Sequence, residues 1–308
     1  LVEIDAGDHP IDLPHDAAAV APGQGAAADR LFALLPDDQG PALRAIWEEF
    51  EGMQGEAAQL AKTVDYAIPV LQVWAADPRR ADHEAIARDN TASGRARLIA
   101  RTRPALFDHL HSEMSSGTPE IAARSAFLAE ADRLKGVSRA TTLCDASRHE
   151  NSAEHSWHLA LFALVLGEHA PEGVSLGRVL RMLLLHDLVE IDAGDVPIYA
   201  QTAENQAATE AAELAAAERL FGLLPAAEGA PLLALWQEFE AAESPDAQFA
   251  KALDRFQPPL QNLASGGVSW KAHNATFEMV EARVGAPIAR SMPAFWEHIA
   301  PQIRAFLA

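Results

Sequence analysis

The chain has 308 residues, 49% of them hydrophobic and 22% charged, with 24 basic against 44 acidic side chains and a formal charge of −20. That composition suits a globular protein able to bury a core, and the length suits two domains or one large one. The negative charge disfavours binding to DNA or RNA polymers, no apolar run is long enough to span a membrane, and the single Cys144 excludes an internal disulfide or a cysteine zinc site. No basic segment followed by an apolar stretch opens the sequence, so a cytoplasmic location is expected.

Ala, Leu, Glu and Arg fill long stretches, and alternating β-branched runs are scarce, which predicts an all-α fold. A helix is expected over about 120–134. Asn151 and Glu154 have capping-box spacing ahead of a long apolar helix from Ser152 to about His169. Ser175 is placed to cap the next helix, Leu176 to about Glu190, which Ala193-Gly-Asp-Val-Pro197 then breaks. Further helices are expected near 202–222, 229–241, 245–263, 273–283 and 291–307.

The sequence also repeats itself. LVEIDAGD stands at 1–8 and again at 188–195, followed by Pro10-Ile11 against Pro197-Ile198. Arg30-Leu-Phe-x-Leu-Leu-Pro36 recurs at 219–225, Trp47 at Trp236, Lys62-x-x-Asp65 at Lys251-x-x-Asp254, and Ile99-Ala-Arg101 at 288–290. The offset is 187 at first and 189 afterwards, so one two-residue indel accounts for it. Residues 120–308 form one complete copy. Residues 1–114 form a second copy lacking the counterpart of 120–187, and Ser115-Ser-Gly-Thr-Pro119 reads as the linker. A truncating gene fusion, or a piece of a longer tandem protein, would each account for the half copy.

Four polar residues are stranded in apolar helices of the complete copy: His155, His186, Asp187 and Asp254. Any one alone reads as a hydrogen-bonded core residue, but burying an unpartnered imidazole or carboxylate is costly. Together, on three helices, they make an N₂O₂ set suited to one divalent ion among Mn, Fe, Co, Ni and Zn, with Mg fitting less well. Such an ion leaves room for water and a substrate oxygen. Glu190, four residues after His186, is expected on the same helix face, beside that water. Asp195 falls in the loop beyond, and Asp192 points away. Arg139, Arg148 and Lys251 lie near these segments and are the candidate phosphate cations. His158 and Cys144 read as packing residues.

The motifs Glu150-Asn-Ser-Ala-Glu-His155-Ser-Trp-His, His186-Asp-Leu-Val-Glu-Ile-Asp-Ala-Gly-Asp195 and Lys251-Ala-Leu-Asp254 resemble the HD-domain phosphohydrolases, in the branch of the bacterial 5′-deoxynucleotidases. The resemblance spans 120–308 in order. It implies an all-α HD bundle, a metal on His155, His186, Asp187 and Asp254, catalytic Glu190 and Asp195, a substrate Arg near Arg139, and frequent dimers. It implies hydrolysis of a phosphate ester, commonly a nucleoside 5′-monophosphate. The Trp that follows the substrate Arg in that family is absent here, where Ala140 and Thr141 stand, which leaves deoxy- and ribonucleotides both open. Two-metal HD proteins carry further His ligands before the last Asp. Residues 188–272 contain no His, so a mononuclear site is expected. A non-catalytic HD scaffold that binds a nucleotide or a partner, and a hydrolase of another phosphate ester, are the alternatives.

The half copy keeps Glu3, Asp8 and Asp65, counterparts of Glu190, Asp195 and Asp254, but no counterpart of the remaining ligands, and His9 and His15 lie in the wrong segment to replace them. It is expected to be catalytically inactive and to expose an apolar face. A homodimer, an intrachain pseudo-dimer or a domain swap would cover that face.

Overall fold

In the computed structural model, which describes residues 1–8, 17–200 and 203–308, helices carry nearly all of the chain. His9, His15 and the Pro10-Ile11 repeat match lie outside the described residues, as does position 202 at the start of an expected helix. Two units form, Leu1–Ser125 and Ala126–Ala308. Residues 112–118 are turns and bends, and the division itself falls within the helix that follows. No helix among the described residues is long and apolar enough to cross a membrane.

The first unit runs α1 (Glu3–Ala6), α2 (Ala17–Phe32), α3 (Gln39–Glu51), α4 (Gly55–Ala75), α5 (Ala81–Ala92), α6 (Arg97–Thr102) and α7 (Pro104–His111). Its larger core gathers Val70, Leu71 and Trp74 of α4 with Ala87, Ile99 and Leu110. A smaller cluster joins Val2, Ala27 and Ala28, with Phe32 and Trp47 packed against it.

Helix α8 (Pro119–Ala131) crosses into the second unit and ends in a 3₁₀ turn, Asp132–Gly136. A short antiparallel hairpin follows, β1 (Ser138–Thr142) and β2 (His149–Asn151), with Ser138 opposite Asn151 and Thr142 opposite His149. This is the one departure from an all-helical chain among the described residues, and Cys144 is exposed in its loop rather than packed. Helices α9 (Ser152–Leu166), α10 (Leu176–Leu185), α11 (Glu190–Ala193), α12 (Ala203–Phe221), α13 (Ala226–Ala241) and α14 (Pro245–Ala264) build the bundle. α15 (Val268–Ala272) follows, and the expected 273–283 helix is shortened to α16 (Phe277–Val280), which runs into a π-turn, Glu281–Gly285. Then come α17 (Ala286–Ser291) and α18 (Pro293–Leu307). Pro287 lacks an N–H and its ring crowds the carbonyl four residues back, so the last α-helical turn there cannot close normally.

The Asn151–Glu154 capping box is present in full and starts α9. Ser175 precedes α10 without a side-chain cap; its own N–H donates to Asp246 instead. Helix α14 is the central element: Phe249 and Leu253 are fully buried with Leu159 and Ala163 of α9 and Val179 and Met182 of α10.

The repeat holds in three dimensions. Arg30 pairs with Asp5 as Arg219 pairs with Asp192. Lys62 meets Glu51 at 3.1 Å and lies 4.0 Å over Phe50, and Lys251 meets Glu240 at 3.0 Å and lies 3.9 Å over Phe239. Gly40 and Gly229 hold equivalent places, where a Cβ would sit on the carbonyl oxygen of Phe32 or of Phe221. Burial is where the copies part, because Phe249 is 0% exposed and its counterpart Leu60 is 44% exposed. Phe249→Ala should therefore cost about 3–5 kcal/mol, and Leu60→Ala no more than about 0.5 kcal/mol. Differential scanning calorimetry of the two variants checks the contrast.

Candidate metal centre

The site is assembled from three helical segments. The capping box fixes the first turn of α9, which carries His155 inward at 0% exposure. His186 and Asp187 do not continue α10 as an α-helix: His186–Val189 tightens into a 3₁₀ turn before α11 begins at Glu190. The expected α-helical face shared by His186 and Glu190 is thus replaced by this tighter turn, though both residues still line one cavity. The indole N–H of Trp236 donates to the His186 carbonyl at 3.1 Å, taking up an acceptor released from regular α-helical pairing. Asp254 comes from the middle of α14 and is buried.

These side chains converge. One ligand atom each from His155, His186 and Asp187 lies within 4.8 Å of the others. Asp254 Oδ1 is 3.1 Å from His155 Nε2 and 3.9 Å from His186 Nε2, so it faces the same pair of nitrogens. The His186 Nδ1–H is spent on the Leu183 carbonyl at 2.9 Å. Nε2 is left 2.9 Å from Asp187 Oδ1 and without a hydrogen-bond partner, so in a neutral ring it would present a bare lone pair to that oxygen. A lone pair against a carboxylate oxygen in a buried pocket is repulsive unless a cation sits between them, and the donor set fits a divalent ion. Behind His155, Nδ1 faces Glu150 Oε2 at 3.5 Å. Gln257 and Gln261 donate to Glu150 Oε1 at 3.0 and 2.7 Å, which leaves Oε2 beside the imidazole, where a carboxylate can orient a ring.

Negative charge is in surplus. Arg139, on β1, donates to Asp187 at 2.8 Å and stands 3.7 Å from Glu190, 3.8 Å from Asp195 and 3.8 Å from Glu150. Burial pushes the Glu190 carboxyl up, Asp187 and Asp195 add to it, and the result is about 9 despite Arg139. Burial likewise raises Asp195. Burial also opposes ionisation of Asp187, but His186 and Arg139 outweigh it and hold the group below the ordinary carboxylate range. Burial and Arg139 press the His155 imidazole down, yet Asp254, Glu150 and Asp187 carry it to about 9. Arg139 is the nearest fixed cation to this group of carboxylates.

Glu190 and Asp195 are both held in place. The Ser152 hydroxyl donates to Glu190, and the Ala140 N–H donates to Asp195 at 3.3 Å. Gly194 makes the turn between them at φ 76° and ψ 155°, a region closed to residues with a Cβ. Arg139, Lys251, Glu190 and Asp195 line a cavity of about 410 Å³ together with His186, Asp187 and Asp254. Lys251 enters it already tied to Glu240 and stacked on Phe239, as its counterpart in the other copy is. Arg148 is not brought there. It is half-exposed and bonded through both guanidinium arms to Glu154, the acidic member of the capping box. Asp192 points to the surface and pairs with Arg219. His158 accepts a hydrogen bond from Gln257 at 3.1 Å and packs edge-on against Phe162.

Glu150 was not singled out by the sequence reading, although it opens the first motif. Glu213, on α12 at the far side of the cavity, also escaped notice; burial and then Glu240 push it up to about 7.

Removing the charge from Glu150 leaves the ring of His155 unoriented. Glu150→Gln should weaken divalent-ion affinity by about 10- to 100-fold without abolishing it, whereas His155→Ala should abolish it; titration calorimetry with Mn²⁺ or Co²⁺ separates the two. A carboxyl raised from 4.5 to about 7 on folding carries no penalty below the lower value and its full penalty above the higher one. Glu213→Gln should therefore stabilise the protein by about 1–2 kcal/mol at pH 8, after allowance for solvent screening, and by much less at pH 5. Thermal melts at the two pH values check the sign.

The sequence pattern of the HD domain matches residues 1–107 and 131–296. The bovine 5′-deoxynucleotidase HDDC2 is 31% identical over 138 residues, which are 44% of this chain and 64% of that protein. The human protein of the same name is 30% identical over the same extent. The chain thus spans less than two thirds of the length of these relatives. A crystal structure of a predicted metal-dependent phosphohydrolase from Magnetospirillum magnetotacticum MS-1 is 44% identical, superposes with a TM-score of 0.58, and covers 62% of this chain and all of that one. A pattern matched across both copies, around a buried His, His and Asp cluster, places the chain in the HD-domain family.

Proposed function

We propose that the second unit is a metal-dependent phosphomonoesterase that releases phosphate from nucleoside or deoxynucleoside 5′-monophosphates. The observation that carries this reading is the meeting of imidazole nitrogens and carboxylates beside a cavity of about 410 Å³ whose wall also holds a largely buried arginine. The volume suits a nucleotide-sized ligand. The similar proteins described as a metal-dependent phosphohydrolase and as 5′-deoxynucleotidases support the same chemistry.

In this proposal His155, His186, Asp187 and Asp254 hold one divalent ion. Such an ion supplies Lewis-acid polarisation of a phosphoryl oxygen and makes water more acidic. Arg139 has Nη1 within reach of Asp187, Glu190 and Asp195, so a phosphate entering between them exchanges carboxylate neighbours for its own oxygens and takes a charge-assisted hydrogen bond. The Ser152 hydroxyl holds Glu190 Oε2, which leaves Oε1 facing Arg139 and able to take a proton from water or give one to the leaving oxygen. Asp195 is fixed by the Ala140 N–H at the loop side of the cavity, where the sugar hydroxyls would lie. Lys251 contributes positive potential from its place on Glu240. Arg148 has no part in the reaction, since its guanidinium serves the start of α9.

Chelation should abolish phosphate release from a panel of ribo- and deoxyribonucleoside 5′-monophosphates, and Mn²⁺, Co²⁺ or Mg²⁺ should restore it. Glu190→Gln should lower kcat by about 10²- to 10⁴-fold while metal content stays that of the unaltered protein. Full metal occupancy with no turnover on any monophosphate would overturn the proposal and leave a binding role or another ester.

A further inference from the structure

Counterpart residues allow the half copy to be compared position by position with the complete one. Leu60, Val64 and Ile68 are 44%, 48% and 44% exposed, while Phe249, Leu253 and Gln257 at the equivalent places are each 0% exposed. The three exposed residues are spaced by four on α4 and so share one face. Ile46, 60% exposed, answers to Leu235 at 8%. Asp65 and Glu3 are exposed, whereas Asp254 is buried and Glu190 is partly so. Single exposed apolar residues are ordinary; an aligned set on one helix face is the kind of patch that marks an interaction site.

The complete copy shows what covers that face. In the second unit it is occupied by α9 and α10, whose Leu159, Ala163, Val179 and Met182 share a core with Phe249 and Leu253. The scaffold beneath is already formed in the half copy, since the Arg30–Asp5 and Lys62–Glu51 pairs match their counterparts in the second unit. Among the described residues there are two such faces and one such helix pair. Moving its own α9 and α10 onto α4 would uncover Phe249 and Leu253, so an exchange within or between copies leaves as much apolar surface exposed as before.

We propose that the Leu60–Val64–Ile68 face is the docking surface for a further helix pair of the α9–α10 kind, bearing a His and a His-Asp, and that docking completes a second divalent-metal site on Asp65 with Glu3 beside it. This rests on the metal reading of the second unit. Trp47 fits the same arrangement. Its counterpart Trp236 donates to the His186 carbonyl, and Trp47, without such an acceptor, lies under the guanidinium of Arg44 at 4.6 Å.

The test uses the full chain with a second copy of residues 120–187 joined ahead of Leu1, so that Asp187 runs into Leu1-Val2-Glu3 as it natively runs into Leu188-Val189-Glu190. With every copy of Cys144 changed to Ser, Val64→Cys reports the face by thiol labelling. Labelling should be fast in the unextended chain and about tenfold slower or more in the extended one. Ala92→Cys, exposed and off this face, should label alike in both. Bound Mn²⁺ should rise from one ion per chain to two, and Asp65→Ala in the extended chain should return it to one. Equal labelling of Val64→Cys in the two chains would overturn the docking surface. Protection already present in the unextended chain, with a dimer by sedimentation, would overturn it in favour of a second copy. Protection without added Mn²⁺ would overturn the second site. If the unextended chain bound no metal, the reading of the second unit would fail, while the labelling would still decide the docking.

Discussion

A buried imidazole nitrogen facing a carboxylate oxygen, with no room for both to go without a proton or a metal ion, is the constraint around which the second unit is arranged. His186 cannot relieve it by turning, because its other nitrogen is committed to the Leu183 carbonyl. Asp187 cannot relieve it by withdrawing, because Arg139 holds its second oxygen. The conflict is settled only by a cation, and the surrounding structure serves to keep that need in place. The capping box sets the first turn of α9, the 3₁₀ turn after α10 brings His186 and Asp187 to the same depth, and α14 supplies Asp254 from the opposite wall. Pairing two residues from a tight turn with one from each of two helices makes the site depend on the packing of all three.

Arg139 has a double place in this scheme. It is the counter-ion of a cluster richer in carboxylates than in cations, and it is the group nearest to where a phosphate would enter. Those roles are compatible because a metal and a phosphate arrive with opposite charges. A divalent ion held by Asp187 would compete with Arg139 for that carboxylate and leave the guanidinium freer to meet an anion. Glu190 and Asp195 are both raised, by burial first and then by neighbouring carboxylates.

Much of this was legible in the sequence because the chemistry sits in types of residue that apolar helices do not otherwise tolerate. His155, His186, Asp187 and Asp254 stand out against their neighbours, and the fold brings them to one place. What periodicity could not show was local geometry. A 3₁₀ turn and an α-helix read alike over His186–Val189, and five residues of β1 are too few to declare a strand. Glu150 escaped because its role is fixed by Gln257 and Gln261, more than a hundred positions away. Arg148 was attractive by its nearness to a motif, yet the capping box that the sequence also displayed supplies the carboxylate that binds it.

The repeat separates two properties that a single domain would leave entangled. Both copies keep the ion pairs, the lysine over phenylalanine and the close-packed glycine that join the back helices. Only one has the front helices, and only there is the back-helix aspartate buried, as Asp254 is and Asp65 is not. The back half therefore forms its frame without the site, and the site's carboxylates become buried only when α9 and α10 cover them. Burial is what turns an aspartate such as Asp254 from a solvated surface charge, as Asp65 is, into one that demands a cation. In this fold the front helices contribute more than His155, His186 and Asp187; by excluding water they create the electrostatic need that a bound cation would satisfy.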